Sequence, residues 1–147
     1  MIRKVQEKDL STVDNLLTLL IQDERKYNKN INPDFKVDGW YQRFINDDNR
    51  IILVYEIDSK VVGYIYGYID LSPVNIRPEA ILDALYVEES YRTNGIATEL
   101  IDEFITWVKS KDAISIEVSV LLENNKAINL YLKNRFKKYS ERLKLMI

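Results

Sequence analysis

One short segment in the middle of the chain combines the residue types that hold a phosphate. Arg92, Gly95 and Ala97 follow an apolar stretch that ends Leu85-Tyr86-Val87. This order predicts a strand, a short loop and a helix that begins at about Gly95. The first amides of a helix have no partners within it and carry partial positive charge, so they can hold an anion. By spacing alone, the segment equally fits a solvated Arg92 and a Gly95 that only starts a helix.

The composition excludes several common kinds of site. The 147 residues include no His and no Cys, so no Ser-His-Asp triad, imidazole base, thiolate nucleophile, disulfide or Cys/His metal site can be built. The 21 basic and 23 acidic residues give a formal net charge of −2 and no overall basic field for nucleic acid. We therefore expect no metal and no nucleic-acid partner. Proton removal must use a carboxylate, a tyrosine or water.

The chain shows no targeting or membrane-spanning pattern. Charged residues between Arg3 and Asp9 interrupt the start before an apolar run develops, and no stretch reaches the length of a membrane span. The length suits one domain with a sizeable core. We expect a single cytoplasmic domain over residues 1–147 that binds no membrane.

Apolar spacing predicts the elements of the N-terminal half. A short strand is followed by a helix that ends near Arg25, by a second, shorter helix, and by a β-hairpin. These elements are Ile2–Val5, the helix from Asp9, the helix from Asp38, and the paired strands Arg50–Ile57 and Val61–Asp70.

Alternation in the second hairpin strand predicts two unlike faces. One face would carry Val62, Tyr64, Tyr66 and Tyr68, and the other Gly63 and Gly67. The glycines leave their face thin, so another backbone or a ligand can approach. The tyrosines fit cross-strand packing better than an acceptor pocket.

Strands and helices alternate in the C-terminal half, which predicts an α/β sheet with helices on its faces. The elements are the strand Ala80–Val87, a helix with an apolar stripe from Ile96 to Val108, the strand Ile114–Val120, the helix Asn125–Lys133 and a mostly extended segment Phe136–Ile147.

Two motifs in this half resemble those of the GNAT superfamily of N-acetyltransferases. The first is Arg92-x-x-Gly95-x-Ala97 after the strand, which is similar to the acetyl-CoA-binding motif. The second is Asn124-x-x-Ala127-Ile128-x-Leu130-Tyr131-x-Lys133-x-x-Phe136, which looks like the later motif. The resemblance covers the whole chain. It implies an α/β fold with a mixed, mostly antiparallel central sheet, a V-shaped splay between the two central strands, and four flanking helices.

The resemblance also implies where acetyl-CoA binds. The backbone of Leu85, Tyr86 and Val87 would pair with the pantetheine arm, and Asn124 would hydrogen-bond to that arm. The thioester would lie in the gap between the splayed strands. The pyrophosphate would lie on the backbone amides of Arg92, Thr93, Asn94, Gly95, Ile96 and Ala97.

Two side chains are the candidate catalytic residues. The resemblance places Tyr131 near the sulfur, where a phenol can donate to the leaving thiolate. Asp83 is a charged residue inside an apolar strand, and burial would raise its pKa towards a value useful in a base. Asp83 fits a solvent-facing position equally well, and Glu79, Glu88 or a water chain are the alternative bases. A backbone N–H near Val87 is the candidate donor to the oxyanion.

One position departs from the family's pattern. Arg135 stands where the family usually has Gly before Phe136. Gly there would end the helix with a positive φ, which Arg adopts at some cost. We therefore expect Asn134 to take the left-handed conformation instead.

Together these inferences predict an acetyl-CoA-dependent enzyme. It would transfer the acetyl group directly to a primary amine of a small molecule or peptide in a ternary complex. The acidic pair Asp23-Glu24 would favour a cationic acceptor. The alternatives are an enzyme for another acyl-CoA or for protein N-termini, a non-catalytic module that binds acetyl-CoA or CoA, and an interaction domain that binds another phosphate. Members of this family often form homodimers, so the resemblance is also compatible with a homodimer.

Overall fold

The computed structural model describes all 147 residues and contains five strands and three α-helices. The strands are β1 (Ile2–Lys4), β2 (Arg50–Ile57), β3 (Lys60–Asp70), β4 (Glu79–Val87) and β5 (Ile116–Glu117). The α-helices are α1 (Leu10–Asp23), α2 (Ile96–Ser110) and α3 (Asn125–Lys133), and short 3-10 helices cover Glu7–Asp9, Glu24–Lys26, Tyr41–Phe44 and Glu89–Tyr91. None of these helices has the length and apolar character needed to cross a membrane.

The strands form one sheet in the order β1-β2-β3-β4-β5. The first four are antiparallel to their neighbours, and β5 is parallel to β4. This confirms the mixed, mostly antiparallel sheet. The hairpin between β2 and β3 turns through Asp58 and Ser59, which both have positive φ (50° and 65°). A two-residue turn of that kind matches the twist of the strands it joins.

Each face of the sheet is covered by a separate core. Helix α2 and part of α3 pack on one face, and we call that cluster the α2-side core. Helix α1 and the 3-10 helix Tyr41–Phe44 pack on the other, which we call the α1-side core. The α2-side core is aliphatic apart from Phe104, whereas the α1-side core contains the buried tyrosines Tyr41, Tyr64, Tyr66 and Tyr86.

A β-bulge corrects the predicted face of β3. Tyr64, Tyr66 and Tyr68 share the α1 side, as expected. Val62 lies in the α2-side core, so its predicted place beside the tyrosines is wrong. The register between β2 and β3 shifts at Tyr55 and leaves Val62 as an extra residue, which reverses its direction.

Gly67 explains why one face of β3 is thin. A Cβ at this position would lie 2.3 Å from Cζ of Phe104 and 2.5 Å from the carbonyl oxygen of Ile81. The close approach expected from the glycine is therefore made by a side chain of α2. It sets how closely that helix packs on the sheet.

Three predicted elements are shorter than expected. The helix expected from Asp38 is a four-residue 3-10 helix, because Gly39 with a φ of 69° precedes it and a turn follows it, so three α-helices rather than four flank the sheet. Strand β5 has two residues rather than seven, because it diverges from its partner. Residues 137–147 form no strand and are exposed, since no strand pairs with them.

Candidate active site

The site begins where β5 leaves β4. The two strands pair at Ala80 with Ile116 and at Ile81 with Glu117, and no further. From Leu82 to Val87, the edge of β4 that faces β5 has no strand partner. This is the splay predicted between the central strands, and it leaves a gap in the sheet with free backbone groups on one side.

The alternation of β4 shows which groups face that gap. The Glu88 amide donates to the Val62 carbonyl oxygen of β3 at 2.8 Å, so it points away from β5. Successive amides of a strand point to opposite edges, and the Val87 N–H therefore points into the gap. Its role as the donor to an oxyanion stays a prediction.

Unpartnered amides line the loop that follows β4. Thr93 and Gly95 have positive φ (68° and 80°), and the amides of Thr93, Asn94 and Gly95 donate no hydrogen bond within the protein. The first intrahelical bond of α2 is from the Glu99 amide to the Gly95 carbonyl oxygen at 3.0 Å, so the amides before Glu99 in the first turn are also free. Such a run of N–H groups at a helix start forms an anion-binding concavity.

The Arg92 side chain braces this loop. Its Nε donates to the Val87 carbonyl oxygen at 2.8 Å, and its Nη2 lies 3.5 Å from Asp23 Oδ2 at the end of α1. The guanidinium also lies over the Tyr86 ring, 5.0 Å from its centroid. The Arg92 side chain therefore connects the loop to the end of β4 and to the end of α1. A direct contact of Arg92 with a phosphate stays a prediction.

Asp83 occupies a bulge in β4. Tyr66 pairs with Ala84 and Gly67 pairs with Leu82, so Asp83 is the extra residue between them. Its carboxylate has no hydrogen-bond or ion-pair partner, and the residue is exposed. The surrounding protein still desolvates it enough to raise its pKa, and the Arg50 guanidinium acts in the opposite direction.

The Asp83 carboxylate belongs to the α1 side of the sheet. Burial raises the pKa of Tyr41, Tyr64 and Tyr66, and the negative charge of Asp83 raises each of them further. Asp83 is therefore close to the tyrosine cluster, beside the free edge of β4.

Tyr131 lies on the other face. It projects from α3 onto the α2-side core, which includes Val87, and its ring meets Phe136 edge-on at 5.3 Å between centroids. Its hydroxyl has no hydrogen-bond partner in the protein, and burial raises its pKa. The phenol therefore stays protonated and has a proton to donate. The two candidate catalytic residues approach the sheet from opposite sides.

Comparison with known proteins agrees with this geometry. The family model described as the acetyltransferase (GNAT) family matches residues 16–136. The chain belongs to this family. The GNAT match includes the gap, the loop after β4 and all of α3.

The similarity to individual proteins covers most or all of this chain. An uncharacterized N-acetyltransferase of Methanocaldococcus jannaschii is 28% identical over 137 residues, which make up 92% of this chain and 59% of the relative. A tetramutant of the BH1408 protein from Bacillus halodurans has a TM-score of 0.86 at 19% identity, covering 100% of this chain and 99% of that one. The aminoglycoside N-acetyltransferase AAC(6')-Iy in complex with CoA has a TM-score of 0.78 at 17% identity, covering 100% and 98%. The structural matches show that the GNAT fold is shared.

Asn124 of the second GNAT motif begins α3. Its Oδ1 accepts a hydrogen bond from the Ala127 amide at 3.2 Å, which caps the helix. Its side-chain amide nitrogen has no partner in the protein, so a hydrogen bond to the pantetheine arm stays a prediction.

The turn after α3 corrects one expectation. Arg135 itself takes the left-handed conformation (φ 74°), and Asn134 does not (φ −94°). The reason is that Asn134 is buried and its Nδ2 donates to the Leu130 carbonyl oxygen at 2.8 Å and to Thr98 Oγ1 at 3.3 Å. These bonds tie α3 to α2, and the Phe136 amide closes the helix end on the Tyr131 carbonyl oxygen at 3.0 Å.

Arg50 is a residue of this region that the sequence did not single out. It begins β2, pairs in register with Tyr68, and donates a hydrogen bond from Nη1 to the Tyr66 hydroxyl. The pairing register of β2 with β3 places Arg50 beside the tyrosines, but that register depends on the bulge at Val62, which the sequence pattern does not reveal.

No group of three or more acidic side chains is placed to hold a metal ion.

Proposed function

We propose that this protein is an acetyl-CoA-dependent N-acetyltransferase that acts on a primary amine within a ternary complex. The observation that carries the proposal is the run of free amides after β4, which lies beside the unpaired edge of that strand. Membership of the GNAT family supports the same activity, and one structural relative is an aminoglycoside N-acetyltransferase bound to CoA.

The residues present fit a CoA thioester. Gly95 adopts a φ of 80° and nothing lies within 4 Å of where its Cβ would be, so the concavity is open to a phosphate. The amides of Thr93 to Ala97 would hold the pyrophosphate. The Arg92 amide, which was expected among them, donates instead to the Glu89 carbonyl oxygen at 3.3 Å. The edge of β4 from Leu85 to Val87, which no strand covers, would pair with the amide-containing arm as an added strand does, although the Val87 carbonyl oxygen already accepts from Arg92 Nε. When bound, acetyl-CoA supplies an acyl group activated as a thioester.

The chain's own groups would then divide the chemistry. An alkyl ammonium with a pKa near about 10.4 must lose a proton before it can attack. Asp83 would take that proton, and the amine nitrogen would then bond to the acetyl carbon. The carbon–sulfur bond would break with its electron pair on sulfur, and the second proton lost from nitrogen would pass to that thiolate. The Val87 N–H would stabilise the negative charge that develops on the carbonyl oxygen. Tyr131 would donate a hydrogen bond to the departing sulfur. Since burial raises its pKa, full proton transfer from Tyr131 is less favourable than hydrogen bonding.

The direct test is turnover with a panel of amines. Purified protein, acetyl-CoA and single amines (polyamines, aminoglycosides, amino acids and peptides) are mixed, and free thiol and acetylated product are both measured. We expect Asp83→Asn to lower kcat by about 100-fold and Tyr131→Phe by less. Glu79→Gln, which removes an alternative base from the same strand, should behave as wild type. Turnover of no amine in the panel would contradict the proposal. Unchanged kcat in Asp83→Asn would contradict the assignment of the base.

A further inference from the structure

Two opposite charges flank strand β3 on the α1 side of the sheet. Arg50 pairs with Tyr68 on β3, and Tyr68 pairs with Ile81 on β4, two residues before Asp83. The two charged residues therefore lie two strand spacings apart across the sheet and two residues apart along it, which is about 12 Å between backbones. No salt bridge joins them, so both charges are available on a common face whose centre is formed by tyrosine rings.

The Arg50 guanidinium is held in a fixed orientation. Nη1 donates to the hydroxyl of the buried Tyr66, and the guanidinium lies 4.2 Å from the Phe44 ring centroid and 5.0 Å from that of Tyr68. The side chain is 30% exposed, and Nη2 makes no contact with a protein acceptor. A planar guanidinium that is fixed on one side and free on the other is well suited to a carboxylate, because it loses little side-chain freedom on binding.

One acidic residue already lies near this guanidinium. Asp47 Oδ2 is 3.3 Å from Arg50 Nε, and the Asp47 side chain is 42% exposed. A pair this exposed contributes little, so Asp47 competes weakly for the positive charge. Arg43 is the other cation here, over Trp40 at 4.1 Å and Phe44 at 4.9 Å, with Nε donating to the Trp40 carbonyl oxygen. Arg43 makes no contact with the tyrosines of β3, and so serves as a matched control.

We propose that the acceptor is zwitterionic, with its primary amine at Asp83 and a carboxylate at Arg50, as in an amino acid that carries a side-chain amine. This inference rests on the proposed function, because the amine at Asp83 is the one that would be acetylated. The tyrosine and phenylalanine rings between the two charges would contact the aliphatic part of the acceptor. An amine that carries only positive charge would leave Arg50 with only the exposed Asp47 as its ion-pair partner, and Arg50 would repel that amine.

The test compares amino acids with the amines left when their carboxylate is removed. The matched pairs are lysine with cadaverine and ornithine with putrescine, and kcat/KM is measured for each. Wild type should prefer the amino acid by at least about tenfold. Arg50→Gln should reduce that ratio to near one by raising KM for the amino acid. Arg50→Lys should keep part of the preference, and Asp47→Asn should increase it. Arg43→Gln should match wild type.

The outcomes separate this inference from the proposed function. If the best acceptor carries no carboxylate, or if Arg50→Gln leaves the ratio unchanged while thermal unfolding shows it folded, the zwitterionic acceptor is wrong and N-acetyl transfer stands. If Arg50→Gln does not fold, Arg50→Lys and Asp47→Asn decide, and an unchanged ratio in both overturns the inference. If no amine consumes acetyl-CoA, the proposed function itself fails.

Discussion

The two faces of the sheet are built from different chemistry. The α2-side core is a close-packed set of Ile, Leu and Val side chains around Phe104, and it contains no tyrosine among its 13 buried residues. The α1-side core has 11 buried residues, and four of them are tyrosines. The α2-side core positions the helix whose first amides are free. The exposed Asp83 lies beside the tyrosines of the α1-side core. We infer that one face fixes the cofactor, whereas the other sets which acceptor binds.

The tyrosine face keeps its hydroxyls paired in the interior. Tyr41 and Tyr64 share a buried hydrogen bond of 2.9 Å between their hydroxyls, and their rings meet edge-on at 5.6 Å. Burial raises the pKa of both, so neither ionises near neutral pH. The α1 side therefore presents neutral phenols, and the charges that act on Tyr64 and Tyr66 include those of Asp83, Asp14 and Arg50.

The largest loss of stability should follow from a substitution that creates a cavity in the α2-side core. Phe104 is fully buried and packs directly over Gly67, so Phe104→Ala should cost about 3–5 kcal/mol of unfolding free energy. Urea unfolding measures this loss. Phe35→Ala is the matched control, because Phe35 is 45% exposed and its truncation should change stability by less than about 0.5 kcal/mol. Equal effects of the two would contradict the role of Phe104 in that core.

A smaller loss of stability should follow from the removal of one tyrosine hydroxyl in the α1-side core. Tyr64→Phe leaves the Tyr41 hydroxyl buried without its partner, which should cost about 1–3 kcal/mol. The double variant Tyr41→Phe/Tyr64→Phe should cost less than the sum of the two single variants, because it leaves no orphaned hydroxyl. Strict additivity in urea unfolding would show that the hydroxyl pair does not stabilise the fold.

Sequence patterns predicted these faces well where the chain is regular. The hairpin, α1 and α2 follow from apolar periodicity. The residues that depart from the predicted alternation lie at β-bulges. Val62 turns to the unexpected face and Asp83 leaves the strand ladder, because each is an extra residue in its pairing. A bulge depends on the partner strand, so alternation within one strand cannot reveal it.

The sequence predicted where the backbone amides of the site lie, but it did not predict the positions of several side chains. The motif places the loop from Thr93 to Ala97 at the start of α2, where its amides are free. The fixed position of Arg50 depends on Tyr66 and Phe44, which are distant from one another in sequence. The left-handed residue after α3 is Arg135 because Asn134 is held by hydrogen bonds to two helices. Such long-range contacts have no local sequence signal.

A modest stabilisation should come from that strained turn on the aliphatic side. Arg135 is exposed with a φ of 74°, which costs an L residue energy that Gly does not incur. Arg135→Gly should therefore raise the unfolding free energy by about 0.5 kcal/mol, after the added freedom of the unfolded chain is counted. A lower thermal midpoint in this variant would mean that the Arg135 side chain makes a stabilising interaction that outweighs the strain.

The smallest change in stability should come from a substitution of Asp83, beside the α1-side core. The pKa of Asp83 is raised in the folded protein, so the folded state holds its proton to higher pH than the unfolded state does. Stability attributable to Asp83 therefore falls as pH rises above its unfolded pKa. Asp83→Asn should be more stable than wild type at neutral pH, and this difference should shrink below about pH 4. Urea unfolding at several pH values tests this, and a less stable variant at neutral pH would contradict it.

Calorimetric titration with acetyl-CoA tests the central claim most directly. The control is a second glycine of the same kind, because Gly39 also has positive φ (69°) and open space around its missing Cβ. We expect wild type and Gly39→Glu to bind acetyl-CoA with one site. Gly95→Ala should bind with slightly lower affinity. Gly95→Glu, which brings a carboxylate to the free amides, should bind at least about 100-fold more weakly. No binding by wild type, or equal binding by Gly95→Glu, would contradict the claim that these amides hold the cofactor.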